Sequence, residues 1–456
     1  MSENERIDDP QSMVEKLEVA LEQEAYASAA ELAHELLAMQ VSCDAAYNAL
    51  AMVALEVEDT AKALMYYELA LLENPTSETL NYNIGMLYDQ FLGDYETAMT
   101  YYEQALVLNP NYVEVYLELI EIRLENNLDL EEARREVNVA LALAPDNARL
   151  LNNSGCLYIR HEKQVEPAIK QFEQAVLLAD NKALVAANLA DAHMRAKQYE
   201  QAQQAYELSL EHDPTNPLIC HNYAHLLQHK LHQFERAKQL YERAIALAPH
   251  EVHPYIGLKA LYVNHLKQPL EAVKRLESAL EVVRDRTRLE YELAELYDVV
   301  LENFEKAVFY YECVLAVYPD NVTVLNALAF IHVQVFKKYE EGIQYYERVL
   351  AVDDKLPITY VNIGHVYFLK MHQSELALGY YEKAKQLLQE SNETTSYQEE
   401  LYFNLGLLYE NHKGELLHAL NCFEHAMTIK GSVYIEKHLL KLYGRITRPV
   451  HTQGIS

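Results

Sequence analysis

A unit of about 35 residues recurs along most of this 456-residue chain. Each unit carries two runs of apolar residues at helical spacing, separated by a short turn. A residue that ends the second run recurs in steps of 34 or 35, and the series is Pro75, Pro110, Pro145, Asp180, Pro214, Pro249, Arg284, Pro319 and Asp354. A fixed period of this size is typical of a solenoid, in which a small unit buries its apolar face only by stacking on its neighbours.

The unit at residues 78–112 illustrates the pattern. In its first half Leu80 and Ile84 recur at helical spacing, which places them on one face of a helix. Ala98 and Tyr102 repeat that spacing in the second half, and a proline then stops the helix. The unit is therefore predicted to be a helical hairpin with one apolar face on each helix.

Small and aromatic residues hold the same phase from unit to unit. A small residue in the first helix (helix A) recurs as Gly85, Gly155, Ala190, Ala224, Ala294, Ala329, Gly364 and Gly406. A tyrosine follows three residues later in most units, and an alanine opens the second helix (helix B) at Ala98, Ala168, Ala202, Ala237, Ala272, Ala307, Ala377 and Ala419. This pattern resembles the tetratricopeptide repeat family over roughly residues 43–433. Most units contain one extra residue between the helices, which we interpret as a longer turn.

The resemblance implies an all-α, right-handed superhelical solenoid of about eleven to twelve helical hairpins with a C-terminal capping helix. We expect a disordered arm at 1–10, a degenerate N-terminal hairpin at 11–42, the solenoid at 43–433, the capping helix at 434–446 and a flexible tail at 447–456. A polar insertion at 391–398 is expected to be a surface loop and a hinge, because clusters of Ser, Thr and Asn do not pack a core.

The net charge of −31 argues against binding of nucleic acid or an anionic membrane, since both require a basic surface. The five cysteines are scattered without a metal-binding spacing, no apolar run is long enough to span a membrane, and the first residues do not form a secretory signal. These features predict a cytoplasmic protein without cofactor or metal. The absence of known catalytic motifs predicts that the chain is not an enzyme.

An asparagine recurs two residues before the small residue of helix A. The series is Asn48, Asn83, Asn153, Asn188, Asn222, Asn362 and Asn404, and other units have Glu118, Gly257, Glu292 and Ala327 at this position. The family resemblance implies that the A helices line the concave surface, where these side chains resemble the asparagine ladder of the tetratricopeptide region of O-GlcNAc transferases. A ladder of this kind binds the backbone of an extended peptide. The alternative is that each asparagine forms hydrogen bonds between adjacent A helices.

Other side chains at inward positions are further candidates for peptide contact. The main candidates are Tyr82, His221 and His225, and two further candidates are Tyr47 and Tyr291. The histidines, with His229, are spaced four residues apart, but no carboxylate or cysteine completes a metal site in the same stripe. A clamp for chaperone C-termini, known in this family, requires Lys and Arg, and the ladder positions contain neither.

The sequence therefore predicts a scaffold whose concave groove binds an extended, basic segment of a client protein. Two alternatives stay open: a regulatory sensor whose superhelix responds to a small peptide or other signal, and a self-assembling spacer. The identity of the client and the oligomeric state are not predicted.

Overall fold

The computed structural model describes residues 9–41, 43–391 and 397–446. These residues form 25 α-helices and no strand, which confirms the prediction of an all-α array. The chain divides into two compact units between Gln233 and Phe234. The sequence indicated no boundary at this point, and the predicted hinge was at 391–398. A and B helices alternate along the described chain, and twelve of each, followed by one further helix, match the predicted eleven to twelve hairpins with a capping helix.

The first unit contains α1 Pro10–Glu22, α2 Tyr26–Met39, α3 Cys43–Glu56, α4 Thr60–Glu73, α5 Glu78–Met86, α6 Tyr95–Leu108, α7 Val113–Glu125, α8 Leu130–Leu143, α9 Ala148–Arg160, α10 Val165–Leu178, α11 Ala183–Arg195, α12 Tyr199–His212 and α13 Pro217–His229. The second contains α14 Phe234–Leu247, α15 Val252–Leu261, α16 Pro269–Ala279, α17 Arg286–Glu295, α18 Phe304–Val317, α19 Val322–Phe330, α20 Tyr339–Val352, α21 Pro357–His365, α22 Ser374–Ser391, α23 Gln398–Leu408, α24 Leu416–Ile429 and α25 Val433–Ile446.

Six A helices end in a π-helical segment, and this corrects our interpretation of the extra residue as part of the turn. The segments are Leu87–Leu92, Tyr262–Leu266, Leu296–Val300, Ile331–Phe336, Val366–Lys370 and Tyr409–Lys413. A π-helix accommodates one additional residue within a continuous helix. The extra residue is therefore inside helix A in these six repeats, and the turn itself stays short.

A residue with positive φ follows every A helix. These residues are Glu24, Glu58, Gly93, Asn127, Lys163, Lys197, His232, Lys267, Glu302, Lys337, His372 and Gly414. The left-handed conformation ends helix A and reverses the chain. The B helices α4, α6, α8 and α18 begin with a side-chain cap; in α6 the Asp94 carboxylate accepts a hydrogen bond from the Thr97 amide at 3.1 Å.

Close contact between the two helices of a hairpin depends on the small residue in helix A. A Cβ atom added to Gly155 would lie 2.5 Å from Cε1 of Phe172, and one added to Gly364 would lie 2.5 Å from Cε1 of Tyr381. Ala168, at the predicted small position of helix B, has no exposed surface. The small residue therefore leaves room for an aromatic ring from helix B.

Paired tyrosines in the B helices connect neighbouring repeats of the second unit. The Tyr345 hydroxyl donates to Glu312 at 3.5 Å, and Tyr380 donates to Glu347 at the same distance. The following tyrosine of each pair, such as Tyr346, is buried. The first tyrosine thus bonds to the preceding B helix, while the second packs inside its own hairpin.

The ends of the array differ from the expected boundaries in detail. The degenerate N-terminal hairpin corresponds to α1 and α2, and the capping helix corresponds to α25, which buries Ile435, Leu439 and Leu442. Helix α22 continues to Ser391, so the start of the predicted insertion is helical. The rest of that insertion up to residue 396, residues 1–8 of the arm and the tail at 447–456 lie outside the described residues.

Candidate functional site

The asparagine positions lie on the side of helix A that faces away from its own helix B. Gly85 and Gly155 contact the B helix, and the asparagine two residues earlier is about 200° away around the helix. Five of the seven asparagines are half-buried, whereas Asn153 and Asn404 are buried. The predicted positions therefore lie on a common face of the A helices within each unit.

Several ladder amides bridge adjacent A helices. Asn83 Nδ2 donates to Asn48 Oδ1 at 2.8 Å, and Asn188 Nδ2 donates to Asn152 Oδ1 at 2.8 Å. Asn153 Nδ2 donates to Glu121 Oε1 at 3.2 Å. These three asparagines therefore form the hydrogen bonds between adjacent A helices that the alternative interpretation predicted, because a polar side chain of the neighbouring repeat is close enough to bond.

The remaining members of the ladder differ from one another. Asn222 and Asn362 make no hydrogen bond through their side chains to any residue that the structure describes. Asn404 Nδ2 contacts the Tyr381 hydroxyl at 3.5 Å. An amide has two donor hydrogens and two acceptor lone pairs, so the bridging asparagines also keep hydrogen-bonding capacity.

Two adjoining cavities lie along the A-helix face of the first unit, and we call them together the groove. One, of about 470 Å³, is lined by residues from α7, α9 and α11, including Asn153 and Asn188. The other, of about 450 Å³, is lined by residues from α11 and α13, including Asn188 and Asn222. Asn181, Leu184 and Asn188 line both cavities. The groove therefore runs across four successive repeats, three of which contribute a ladder asparagine to it.

Charged groups in the first cavity are largely paired. Arg149 Nη2 lies 2.8 Å from Glu121 Oε2 and 3.4 Å from Glu118 Oε1. Burial raises the pKa of Glu118, although the nearby Arg149 opposes this effect. Arg160 donates through Nη1 to the Leu124 carbonyl oxygen at 2.5 Å. Arg149 and Arg160 thus already bind groups of the protein itself, so this face does not present a free pair of cations to bind the carboxylate of a ligand.

The aromatic and histidine candidates do not form one site. Tyr82 packs between Tyr102 and Tyr112, with ring centroids 5.9 and 5.3 Å away, and burial raises its pKa to about 12. His225 and His229 are exposed and their rings are 4.3 Å apart. His221 is half-buried on the same helix.

The two other tyrosines are held by neighbouring side chains. Tyr47 stacks on Tyr66, and the Tyr291 hydroxyl donates to Glu295 at 2.9 Å. Within the described part of the chain, no group of three His, Cys, Asp or Glu side chains is arranged to hold a metal ion.

The second unit has a different inward face where the ladder is interrupted. Glu292, at a ladder position, is buried and pairs with Lys259 of the preceding A helix at 2.6 Å. A cavity of about 320 Å³ nearby is lined by polar side chains that include Tyr291 and Arg288. An ion pair therefore replaces the amide bridge between A helices at this point.

Two exposed leucines in the groove were not predicted from the sequence. Leu184 is 66% exposed and Leu218 is 65% exposed, and each lies four residues before a ladder asparagine. Residues four apart share a helix face, so the repeat phase was a sufficient signal for both positions. Asn152 was also missed, because it precedes the ladder position by one residue and its role depends on the neighbouring repeat.

An alternating array of A and B helices, with cavities lined by successive A helices, defines an α-helical repeat protein. Tetratricopeptide repeat models match residues 92–152, 183–216, 218–251 and 355–432. The chain therefore contains tetratricopeptide repeats. Repeats of this family generally mediate protein–protein interaction.

The chain is also similar to parts of larger proteins. It is 27% identical over 188 residues to protein O-mannosyl-transferase TMTC3 of Mus musculus and 26% identical over 182 residues to the Homo sapiens protein. These matches cover 38% and 37% of this chain, and it spans about a fifth of the length of these curated relatives.

Similar solved structures include PilF of Pseudomonas aeruginosa, with 21% identity, a TM-score of 0.41 and coverage of 48% of this chain and 97% of that chain. Another is human IFIT1 as a dimer with m7Gppp-AAAA, with 16% identity, a TM-score of 0.43 and coverage of 83% of this chain and 90% of that chain.

None of the described helices has the length and apolarity needed to cross a membrane.

Proposed function

We propose that this chain is a non-catalytic scaffold whose groove, formed by α7, α9, α11 and α13, binds an extended segment of a client protein through its backbone. The observation that carries the proposal is the pair of adjoining cavities lined by Asn153, Asn188 and Asn222. An extended peptide presents one backbone donor and one acceptor per residue, and asparagine amides match both.

The groove also has the composition of a peptide site. Exposed Leu184 and Leu218 supply apolar contact beside the amides, and Asn222 retains an unbonded amide. Specific ligand sites commonly combine apolar walls with a few convergent polar groups. The acidic net charge of the protein favours a basic client segment.

Selection of random twelve-residue linear peptides displayed on phage, against the purified full chain, tests this proposal. The best binder is then synthesised with single backbone N-methyl groups and, separately, with single alanine substitutions. We expect at least one internal N-methyl group to weaken binding by about two- to tenfold, because the loss of one hydrogen bond costs roughly 0.5–1.5 kcal/mol.

The variants Asn222→Ala and Asn188→Ala should weaken binding of that peptide without loss of helicity, since alanine is the better helix former. Asn83→Ala is the matched control, because Asn83 lies outside the lining of both cavities. Failure to select any peptide, or equal binding by the Asn222→Ala and Asn188→Ala variants and the unaltered chain, would contradict the proposal.

A further inference from the structure

The two cavities of the groove differ in the balance of charge. The cavity lined by α9 contains Arg149 and Arg160 together with Glu121 and Glu125. The cavity between α11 and α13, which we call the α11–α13 pocket, contains Asp191 and Asp213 but neither Lys nor Arg among its lining residues. The positive charge of Arg195 acts on Asp191 from outside this lining. The wall of the pocket is therefore anionic.

Of the two carboxylates of the α11–α13 pocket, Asp191 has the greater capacity for a ligand. Asp213 Oδ1 already accepts hydrogen bonds from the Thr215 amide at 3.0 Å and the Thr215 hydroxyl at 2.9 Å. Asp191 accepts one hydrogen bond, from the Tyr206 hydroxyl. An ionised carboxylate accepts up to about four hydrogen bonds, so most of the capacity of Asp191 is unused.

The pocket also holds Asp191 in place. Tyr206 is buried, and its ring stacks on Tyr223 with centroids 5.6 Å apart. Because the Tyr206 hydroxyl donates to Asp191, this packed ring fixes the orientation of the carboxylate. A carboxylate oriented by a second, buried group binds a partner with less loss of side-chain entropy.

The other lining residues can contact both the methylene groups and the charged end of a basic side chain. Leu184, Leu218 and Ile219 provide apolar wall, and Lys and Arg place their methylene stems along such surfaces. Asn188 donates through Nδ2 to Asn152, which leaves its Oδ1 as an acceptor, and the Asn222 amide has no bond within the described chain. The pocket thus combines apolar walls, one oriented carboxylate and amide acceptors.

We propose that the α11–α13 pocket binds one basic side chain of the client, with arginine favoured over lysine. The proposal rests on the function proposed above. The stem of the arginine lies along Leu184 and Leu218, and its guanidinium donates to Asp191 and to the side-chain oxygens of Asn188 and Asn222. A guanidinium has five donors in a planar fork and therefore uses several acceptors at once, which a lysine ammonium does less well.

The test uses a peptide selected from the displayed library and carrying a basic residue at its most strongly enriched position. This peptide is synthesised with arginine or with citrulline, which keeps the shape of arginine but lacks its charge. The full chain should bind the arginine peptide about tenfold or more tightly than the citrulline peptide, because a hydrogen bond to a charged group is worth roughly 1.5–3 kcal/mol.

Asp191→Asn should abolish the preference for arginine while the citrulline peptide binds as before. Leu218→Lys should have the same effect by placing a resident cation in the pocket, and the high exposure of Leu218 makes this change compatible with folding. Glu173→Gln is the matched control, because Glu173 is an exposed residue of α10 outside both cavities.

The outcomes separate the two proposals. Selected peptides without an enriched basic position, or an arginine preference that persists in both Asp191→Asn and Leu218→Lys, would overturn the basic pocket and leave the groove intact. Equal loss of preference in Glu173→Gln would also overturn it, since a general charge effect would then account for the result. Failure of all peptides to bind would overturn the groove itself and the pocket with it.

Discussion

Single small residues decide how closely the two helices of a hairpin pack. The Phe172 ring occupies the space beside Gly155, where a Cβ atom would be placed. Gly379, in α22, has no atom of another element within 4 Å of the corresponding point. The same residue type thus has a steric role at one position and none at the other. The difference follows from the partner helix rather than from the local sequence.

The variant Gly155→Ala should lower the free energy of unfolding by about 1–3 kcal/mol, because the added methyl group overlaps Phe172. Gly379→Ala is the control and should raise it by about 0.5–1 kcal/mol, since alanine is the better residue in a helix interior. Urea denaturation of both variants measures these changes. An unchanged transition for Gly155→Ala would contradict the close packing of Phe172 on Gly155.

Left-handed turn residues offer a second test at this scale. Lys267 and His372 have φ of 56° and 57°, a region that disfavours residues with a Cβ atom. Lys267→Gly should therefore stabilise the chain by about 0.5–1 kcal/mol.

The control for the turn is Lys383→Gly in the exposed interior of α22, which should destabilise the chain by about 0.5–1 kcal/mol. Thermal unfolding followed by circular dichroism distinguishes the two. A lower melting temperature for Lys267→Gly would show that the lysine side chain has a compensating role.

Asp89 provides a test that depends on pH. Burial raises the pKa of Asp89 above its usual value of 3.8, and the nearby Glu125 and Glu121 raise it further. The folded state therefore binds a proton more tightly than the unfolded state. Ionisation of Asp89 therefore destabilises the folded state. This destabilisation is absent below pH 3.8, grows as the pH rises, and is complete above the pKa of Asp89 in the folded state.

Asp89→Asn removes this effect, so the variant should be more stable than the unaltered chain at pH 7. The difference in stability between the two proteins should be smallest near pH 3.5 and should grow as the pH increases. Urea denaturation at pH 3.5, 5, 6 and 7 measures it. A stability difference that does not change with pH would show that the Asp89 charge is not responsible.

Among the elements, neighbouring A helices are connected by polar bridges along the ladder face. The Asn83–Asn48 bond in the first unit and the Lys259–Glu292 pair in the second each join two successive A helices. A ladder position can therefore connect repeats, line the groove, or do both, as Asn188 does. The chemical type of the residue does not distinguish these roles.

A double-mutant cycle on Asn48→Ala and Asn83→Ala tests the bridge. We expect a coupling free energy of about 0.5–1.5 kcal/mol between the two positions, which is the usual net value of one hydrogen bond. The pair Asn83→Ala and Asn222→Ala is the control and should be additive, because several repeats separate these residues. A coupling near zero for Asn48 and Asn83 would mean that the bridge does not contribute in solution.

At the scale of the molecule, the division at Gln233 predicts an independently folding fragment. Residues 1–233 end after α13 and contain six complete hairpins, so each A helix before α13 retains its B helix. This fragment should unfold in one cooperative transition, with helicity per residue close to that of the full chain.

The control fragment, residues 1–213, ends after α12, so all six of its A helices retain their B helices. We expect equal helicity per residue in the two fragments, because α13 of the longer fragment packs on α12 within the first unit. Circular dichroism and urea denaturation compare the two fragments. Failure of the longer fragment to fold would show that the first unit depends on residues beyond Gln233.

Much of the fold was predictable from the sequence because it depends on residues close together in the chain. The recurring proline, the apolar spacing and the small residues at positions such as Gly85 and Ala98 all report local helix geometry. These features were sufficient to predict the hairpins, the all-α class and the family resemblance. The ladder positions were predictable too, because each has a constant offset from the small residue.

The tertiary structure decided what depends on atoms from different repeats. The π-helical ends of six A helices replace the predicted longer turns, and no local signal separates these two ways of holding an extra residue. Whether the Asn83 amide is free or bonded depends on Asn48, which lies 35 residues earlier. The α11–α13 pocket likewise depends on side chains from successive hairpins. Sequence periodicity determines which face a residue occupies, but distances between repeats determine what that residue contacts.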